Sequence, residues 1–379
     1  MYILIVGRGV PSKKYPLNGI FEFDQAKALS EFGHKIVYLG IDLRSIRRWR
    51  KWGIKVSKYK QMDVIQLNLP LGNIPENIFN KFGKKGFEKV CSMVLEKYGR
   101  PDIVHIHFWN IAAISVDLFN KELLPFVITE HSSQLNDINL NRNFCKYITG
   151  IYSGAKQIIT VSNALRRMIY SNLNITTKVV PNIVDLEVFN YKKKVLENIN
   201  NNFVFVSTGN LKGIKGFDIL IRAFKNVAFR FDNCKLIIIG DGDKKNELIK
   251  LTNQQGLVNR VEFKGLLNRK QIAEIYNESN AFVLPSRSET FGVAYIEAMA
   301  AGLPVIATRC GGPEDFVNSD VGMLVRKNDV SELADAMENM ILDRNKFNSQ
   351  FISDYVCKKY SSKSVANQIT NIYLDVLSV

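Results

Sequence analysis

The stretch Pro285–Asp315, PSRSETFGVAYIEAMAAGLPVIATRCGGPED, decides how this chain is read. It follows a short apolar run, Ala281–Leu284, that ends at a proline, as a buried strand does. A polar loop containing Glu289 comes next. The pattern then predicts a helix over Phe291–Ala301, stopped by Gly302, and a further strand over Pro304–Ala307. Strand, loop, helix and strand in this order make a parallel βαβ unit. Gly292 lets the backbone come close to a ligand, and the open N–H groups of a helix start, with their partial positive charge, suit a phosphate. Glu289 and Glu297 stand eight residues apart, about 12 Å if helical throughout. One carboxylate would lie beyond the phosphate and the other alongside the helix, and each can accept hydrogen bonds from vicinal hydroxyls. An extended molecule with hydroxyls at both ends and a diphosphate between them fits that arrangement. The spacing is equally compatible with a helix-initial acid and a solvent-facing glutamate.

Upstream, Ser207–Phe224 reads STGNLKGIKGFDILIRAF: a strand end, a glycine-rich loop, and a helix opening at Gly216 with Lys215 beside it. A fixed cation there would stabilise the charge that a departing diphosphate gains as its bond breaks, more than it stabilises the ground state. A solvated loop lysine is the plainer reading. Around these two segments the same grammar continues. Strands are expected at Phe203–Ser207, Lys235–Ile239, Val261–Phe263 and Ala281–Leu284, alternating with helices at Gly216–Phe229, Lys244–Gln255 and Arg269–Glu278. The N-terminal half repeats the pattern, with strands at Tyr2–Val6, Lys35–Leu39, Ile103–His107, Phe126–Thr129, Gln157–Val161 and Lys178–Val180, and a helix at Ile20–Phe32. The polar, Asn-rich YKKKVLENINNN after Asn190 reads as a linker. The expected architecture is α/β: two doubly wound units, residues 1–190 and 191–361, facing each other across a cleft. The amphipathic end of the chain, residues 362–379, is expected to pack back on the first unit.

Composition narrows the function. The 379 residues are 46% hydrophobic and 23% charged, ordinary globular values that exclude disordered and fibrous classes. No apolar run approaches the roughly 18 residues of a spanning helix. MYILIVGRGVPSKK lacks a basic stretch ahead of its apolar run and a small-residue cleavage site, so it reads as a buried strand and the cytoplasm is the expected location. Five widely spaced cysteines and four histidines without an HExxH pattern form neither a disulfide framework nor a zinc site, and no metal or other cofactor is expected. The net charge is +15, and it is uneven: residues 1–190 hold 26 Lys and Arg against 15 Asp and Glu, residues 191–379 hold 25 against 21. Such an imbalance points to an anionic partner. Gly7–Ser12 is only part of a dinucleotide fingerprint, since Ser12 replaces the third glycine, which weighs against a nicotinamide enzyme. Asp241-Gly242-Asp243 resembles a metal-binding DxD but sits in a GDG turn. His105 and His107 share one face of a strand and read as core or cleft-edge residues.

Taken together these segments resemble the GT-B glycosyltransferases, in the large retaining group known as glycosyltransferase group 1 or family 4. The E-x7-E motif is matched by Glu289 and Glu297, and the glycine-lysine loop by Gly209, Leu211, Lys215 and Gly216. IIIGDGDKKNEL, VEFKGLL, VSNAL and PNIVDLEVF match in order, and in the N-terminal half so do Asn18-Gly19-Ile20 and His131 in TEHSS. The resemblance implies a cytoplasmic enzyme moving a sugar from a UDP-, GDP- or ADP-sugar to a glycan or lipid-linked acceptor in cell-surface polysaccharide synthesis, with retention and without a metal. It implies that Glu289 meets the donor sugar, Glu297 the ribose, and the amides of Phe291, Gly292 and Val293 the sugar or diphosphate. It further implies that Lys215 clamps the diphosphate, that Gly19 approaches it, and that His131 stands at the sugar. Asn210 occupies the position of the family's usual arginine, so Lys212 or Arg287 is expected to supply the missing cation. An epimerase or phosphorylase on the same fold, or a non-catalytic nucleotide-sugar-binding subunit, are the rival readings.

One segment stands outside this scheme. Arg44–Lys60, RSIRRWRKWGIKVSKYK, has eight basic residues, no acidic one, and interleaved Trp49, Trp52 and Tyr59. Basic residues with interfacial aromatics suit an anionic membrane surface, which would place the protein peripherally on the inner face of the cell membrane. No nucleic-acid-binding signature accompanies it, so no nucleic-acid partner is expected. The alternative is a solvated basic face with both tryptophans packed inward.

Overall fold

The structure, a computed structural model, describes residues 1–72, 74, 76–137, 139–192, 202–343 and 345–378. The expected linker falls mostly on residues 193–201, outside the described residues. The chain divides into two units, Met1–Ile183 with Ser362–Val379, and Val184–Ser361. The first unit thus ends at Ile183 rather than Asn190. The reason is local: the Val184 N–H donates to the Tyr360 carbonyl at 2.9 Å, and the Phe189 ring lies 5.9 Å from that of Tyr276, so residues 184–189 already belong to the second core.

In the first unit the strands are β1 (Tyr2–Gly7), β2 (Lys35–Asp42), β3 (Gly53–Tyr59), β4 (Met62–Asn68), β5 (Ile103–His107), β6 (Phe126–Glu130), β7 (Gln157–Thr160) and β8 (Lys178–Val179). The helices are α1 (Ile20–Glu31), α2 (Glu76–Tyr98), α3 (Trp109–Lys121), α4 (Arg142–Tyr152) and α5 (Asn163–Leu173). Among the described residues the sheet runs β3-β4-β2-β1-β5-β6-β7-β8. Its central strands are near-continuous apolar runs because helices cover both faces. All pairs are parallel except β3 with β4, an antiparallel hairpin that turns at Lys60, a residue in the left-handed region (φ 52°). The sequence pattern does not foresee this edge because β3 carries no buried face to betray it: every residue from Ile54 to Tyr59 is exposed.

The C-terminal helix, Ser362–Leu377, contributes Val365, Ala366, Ile369, Ile372 and Tyr373 to the same core as Ile3, Ile5, Phe23 and Ala26. Burying three to four large apolar side chains at roughly 1.5–3 kcal/mol each makes this helix part of the unit rather than an appendage.

In the second unit the strands are β9 (Phe203–Thr208), β10 (Cys234–Ile239), β11 (Val261–Gly265), β12 (Ala281–Leu284), β13 (Val305–Thr308) and β14 (Gly322–Val325). Between them lie α6 (Phe217–Arg230), α7 (Lys245–Gln254), α8 (Arg269–Glu278) and α9 (Val293–Ala300), followed by α10 (Val330–Leu342) and α11 (Ser349–Tyr360). The order β11-β10-β9-β12-β13-β14 is that of a doubly wound sheet, with a switch point between β9 and β12. Ligands of such sheets bind beyond the carboxyl ends of the strands at that point. Here these ends lead into the Lys215 loop and the Glu289 loop. Among the described residues no helix is long and apolar enough to cross a membrane.

Candidate functional site

Topology brings Lys215 and Glu289 together. The loop after β9 closes in a short 3-10 turn, Gly213–Lys215, and Gly216 then caps α6 in the left-handed region (φ 69°). Only glycine fits there, since a Cβ at Gly216 would run into the Pro285 carbonyl. That contact seats the Lys215 loop against the Glu289 loop, and Arg287 reinforces it by donating its amide to Ile214 O (2.7 Å). The result is a Lys215 Nζ to Glu289 Oε1 distance of 2.6 Å, with Ser286 Oγ donating to the same oxygen at 2.8 Å. Glu289 is 8% exposed, so its carboxylate is held among fixed donors rather than in bulk water. Its backbone is fastened as well: Glu289 N donates to Cys310 O (3.2 Å) and Gly312 N donates to Glu289 O (2.9 Å).

The helix that follows is shorter than expected. It starts at Val293 rather than Phe291, and Glu289 lies in the loop before it, bridged to Gly311. Gly292 caps α9 with φ 100°, and no side chain caps it. Gly292, Val293 and Ala294 are partly exposed while the Phe291 side chain is buried against Phe316 and Tyr360. The helix start therefore keeps its anion-attracting character. Glu297, one turn on, lies 3.6 Å from an Arg269 guanidinium nitrogen, and Arg269 also reaches Asp185 at 3.7 Å.

Asn210 is exposed, and of the two residues expected to replace the missing cation, Arg287 is committed elsewhere. Its guanidinium grips both Asp218 oxygens at 3.0 and 2.8 Å, reaches Asn328 Oδ1 at 2.8 Å, and also bonds the Gly213 carbonyl. Burial alone would raise the Asp218 carboxyl, but the Arg287 bonds and charge hold it below the ordinary value. Arg287 is thus a brace between loops, leaving the exposed Lys212 as the cation nearest in sequence to Asn210.

The first unit assembles its own cluster at the carboxyl ends of β1, β5 and β6. Gly19 caps α1 at φ 70°, where a Cβ would strike the Gly9 carbonyl. His131 follows β6 and is buried, its Nε2 3.0 Å from His107 Nδ1, with Phe108 (4.8 Å between ring centres) beside it. Burial, helped by the Arg8 and His105 charges, pushes the His131 imidazole down to about 3, so it is neutral at physiological pH. His105 is satisfied by Tyr373 OH and Thr129 Oγ1, both at 2.6 Å. Arg8 lies over the Phe108 ring at 3.2 Å and near buried Glu22 at 3.4 Å. Glu130 carries no functional geometry: it accepts from Tyr152 OH and from the amides of Trp109, His131 and Ser132, and so holds the turn that presents His131.

Sequence reasoning missed Ser286, Arg269, His107 as the partner of His131, and the Arg287–Asp218 brace. No motif marks them; period-two alternation, which puts His105 and His107 on one face, was the only usable signal. Among the described residues no group of three or more His, Cys, Asp or Glu could hold a metal ion.

Comparison with known proteins gives the following. Residues 189–373 match the family model described as glycosyl transferases group 1, and residues 24–188 match that of glycosyltransferase family 4. An uncharacterized glycosyltransferase of Methanocaldococcus jannaschii is 30% identical over 67% of this chain and 69% of its own. The N-acetyl-alpha-D-glucosaminyl L-malate synthase of Bacillus anthracis is 24% identical over 95% of this chain and 94% of its own. Among solved structures, Anabaena HepE in complex with UDP and glucose superposes with a TM-score of 0.73 at 19% identity, covering 99% of this chain and all of that one.

Proposed function

The chain belongs to the group 1 glycosyltransferases of GT-B fold, and from that premise we propose that it transfers a sugar from a UDP-sugar, with retention of anomeric configuration, to a glycan or lipid-linked acceptor in cell-surface polysaccharide synthesis. GDP- and ADP-sugars are the other donors to be tried. The observation that carries this reading is the Lys215–Glu289 pair, 2.6 Å apart at the switch point of the second sheet. In the proposed reaction the diphosphate rests at the start of α9, on the amides of Phe291, Gly292 and Val293. Lys215 neutralises the charge that the departing phosphate gains, and Glu289 accepts hydrogen bonds from sugar hydroxyls, which Ser286 and Lys215 orient it to do. Glu297 takes the ribose hydroxyls. In the first unit, Gly19 and neutral His131 are the residues proposed to contribute to donor binding. The departing phosphate accepts the acceptor's proton while Lys215 and the start of α9 carry the diphosphate's charge, so the reading calls for no metal or other cofactor. UDP is favoured because the HepE structure holds UDP and glucose. The proposed workplace is the cytoplasmic face of the membrane.

The test is a thermal-shift screen of UDP-, GDP- and ADP-sugars, followed by nucleotide release from the stabilising donor. Release of UDP that vanishes in Glu289→Ala supports the reading. Stabilisation by no nucleotide-sugar overturns it, as does binding without turnover. Conversion of a UDP-sugar to its epimer in the absence of acceptor would make the chain an epimerase instead.

A further inference from the structure

We infer that the Arg44–Tyr59 face of the first unit is a docking surface for an anionic lipid bilayer. This deepens the proposed function, since it supplies the place where a lipid-linked acceptor would be met, but its test does not depend on transfer. The sequence left two readings for this segment, and burial separates them. Trp49 is 61% exposed and Trp52 46%, so neither is packed inward. Ile46, Ile54 and Val56 are exposed with them, and the two indole rings lie 5.8 Å apart. Large apolar side chains held in water, here on the loop before β3 and on the edge strand itself, are costly and prone to pairing unless something apolar receives them.

The loop is built, not slack. Arg50 turns inward and its side chain is only 9% exposed. It bonds Asp42 Oδ1 at 2.8 Å and the carbonyls of Asp42, Arg44 and Leu69 at 3.0 Å. Arg44 adds a bidentate grip on Asp42, at 3.0 and 2.7 Å. Two of the segment's cations are therefore spent on one buried carboxylate, and Lys60 pairs with Glu31 at 2.9 Å. Among the described residues no carboxylate pairs with Arg47, Arg48, Lys51, Lys55 or Lys58, and all five are exposed. An apolar tip ringed by unneutralised cations matches a bilayer whose headgroups are anionic and whose interior is apolar.

The surface is also coupled to the loop that carries Gly19. The Tyr15 hydroxyl lies 3.4 Å from the Trp49 carbonyl, Arg44 covers the Tyr15 ring at 4.5 Å, and Asn18 Nδ2 reaches Asp42 Oδ2 at 3.4 Å. Seating the tryptophans in headgroups would bring the Gly9–Gly19 loop to the membrane, where a lipid-linked acceptor is presented.

Co-sedimentation of the full chain with phosphatidylcholine vesicles, with and without phosphatidylglycerol, tests this. Binding is expected only to the phosphatidylglycerol vesicles, to fall with added salt, and to blue-shift indole emission. Each basic residue at an anionic surface is worth roughly fivefold in partitioning, so Arg47→Glu with Arg48→Glu should weaken binding at least about tenfold. Trp49→Ala with Trp52→Ala should weaken vesicle binding while the far-ultraviolet circular dichroism and melting temperature stay those of the parent, which shows that the variant is folded. Equal binding to neutral vesicles, no binding to either, variants that bind as the parent does, or binding to duplex DNA in place of vesicles would each overturn the proposal. Failure of the transfer reading would leave vesicle binding unchanged, so the two are distinguishable.

Discussion

Lys215 and Glu289 are mutually dependent. The lysine side chain is 24% exposed and the glutamate side chain 9%, so removing the cation strands a largely buried carboxylate. Lys215→Ala is expected to lower nucleotide release from the donor by about a hundredfold or more, the scale seen when one electrostatic stabiliser of a transition state is lost. It should also lower stability, which urea denaturation reads separately; the pair Lys215→Ala with Glu289→Ala should recover part of that stability but none of the turnover. Asn210 makes a second residue-scale prediction. Arg287 is tied to Asp218, so Lys212→Ala should weaken donor binding, whereas Arg287→Ala should cost about 1 kcal/mol of stability, as a partly exposed ion pair does, with a smaller effect on donor affinity. The measurement is nucleotide affinity beside a denaturation curve; the reverse ranking would restore Arg287 to the diphosphate. These residue-level roles were partly visible beforehand. Lys215, Glu289 and Glu297 carry a motif, but Ser286 and Arg269 act only through neighbours brought to them by the sheet.

At the level of elements, glycines at loop-to-helix junctions do the positioning. Gly19 and Gly216 both cap helices in the left-handed region and both face a carbonyl where a side chain would begin. Gly19→Ala and Gly216→Ala should each destabilise the chain by about 2 kcal/mol or more, from the left-handed penalty and the collision together. Gly99, at φ 81° with nothing within 4 Å, provides the comparison: Gly99→Ala should cost only about 1 kcal/mol, since conformational strain acts alone. Denaturation midpoints at unchanged m-value check the ranking. Helix and strand positions were largely legible, because buried strands read as apolar runs and helices as amphipathic ones. The β3–β4 hairpin was not, since a strand exposed on both faces leaves no periodicity to read.

For the whole molecule, two consequences follow from how the first unit is closed. Deleting Ser362–Leu377 removes Tyr373 and Ile369 from the core and leaves His105 without its Tyr373 partner. The first unit should then unfold while the second keeps its cooperative transition; calorimetry showing both transitions intact would contradict this. The second consequence is a pH dependence. Burial holds His105 and His107 well below their ordinary value of 6.5, and His131 at about 3. Below pH 6.5 the unfolded chain takes up protons that the folded one refuses, so stability should fall as pH drops from 6.5 toward 3. Each such histidine contributes up to about 1.4 kcal/mol per pH unit. His107→Gln should flatten the slope measured by denaturation at pH 7 and pH 5.5. By itself the sequence determined the α/β class, the two doubly wound halves and the family, because glycines, apolar runs and the spacing of Glu289 and Glu297 are local properties of the chain. Only the tertiary structure decided that Arg287 braces loops, that Arg50 turns inward while Trp49 and Trp52 turn out, and that His107 backs His131. Those outcomes depend on which strands become neighbours, and burial and partnership arise only once distant segments share an edge of the same sheet.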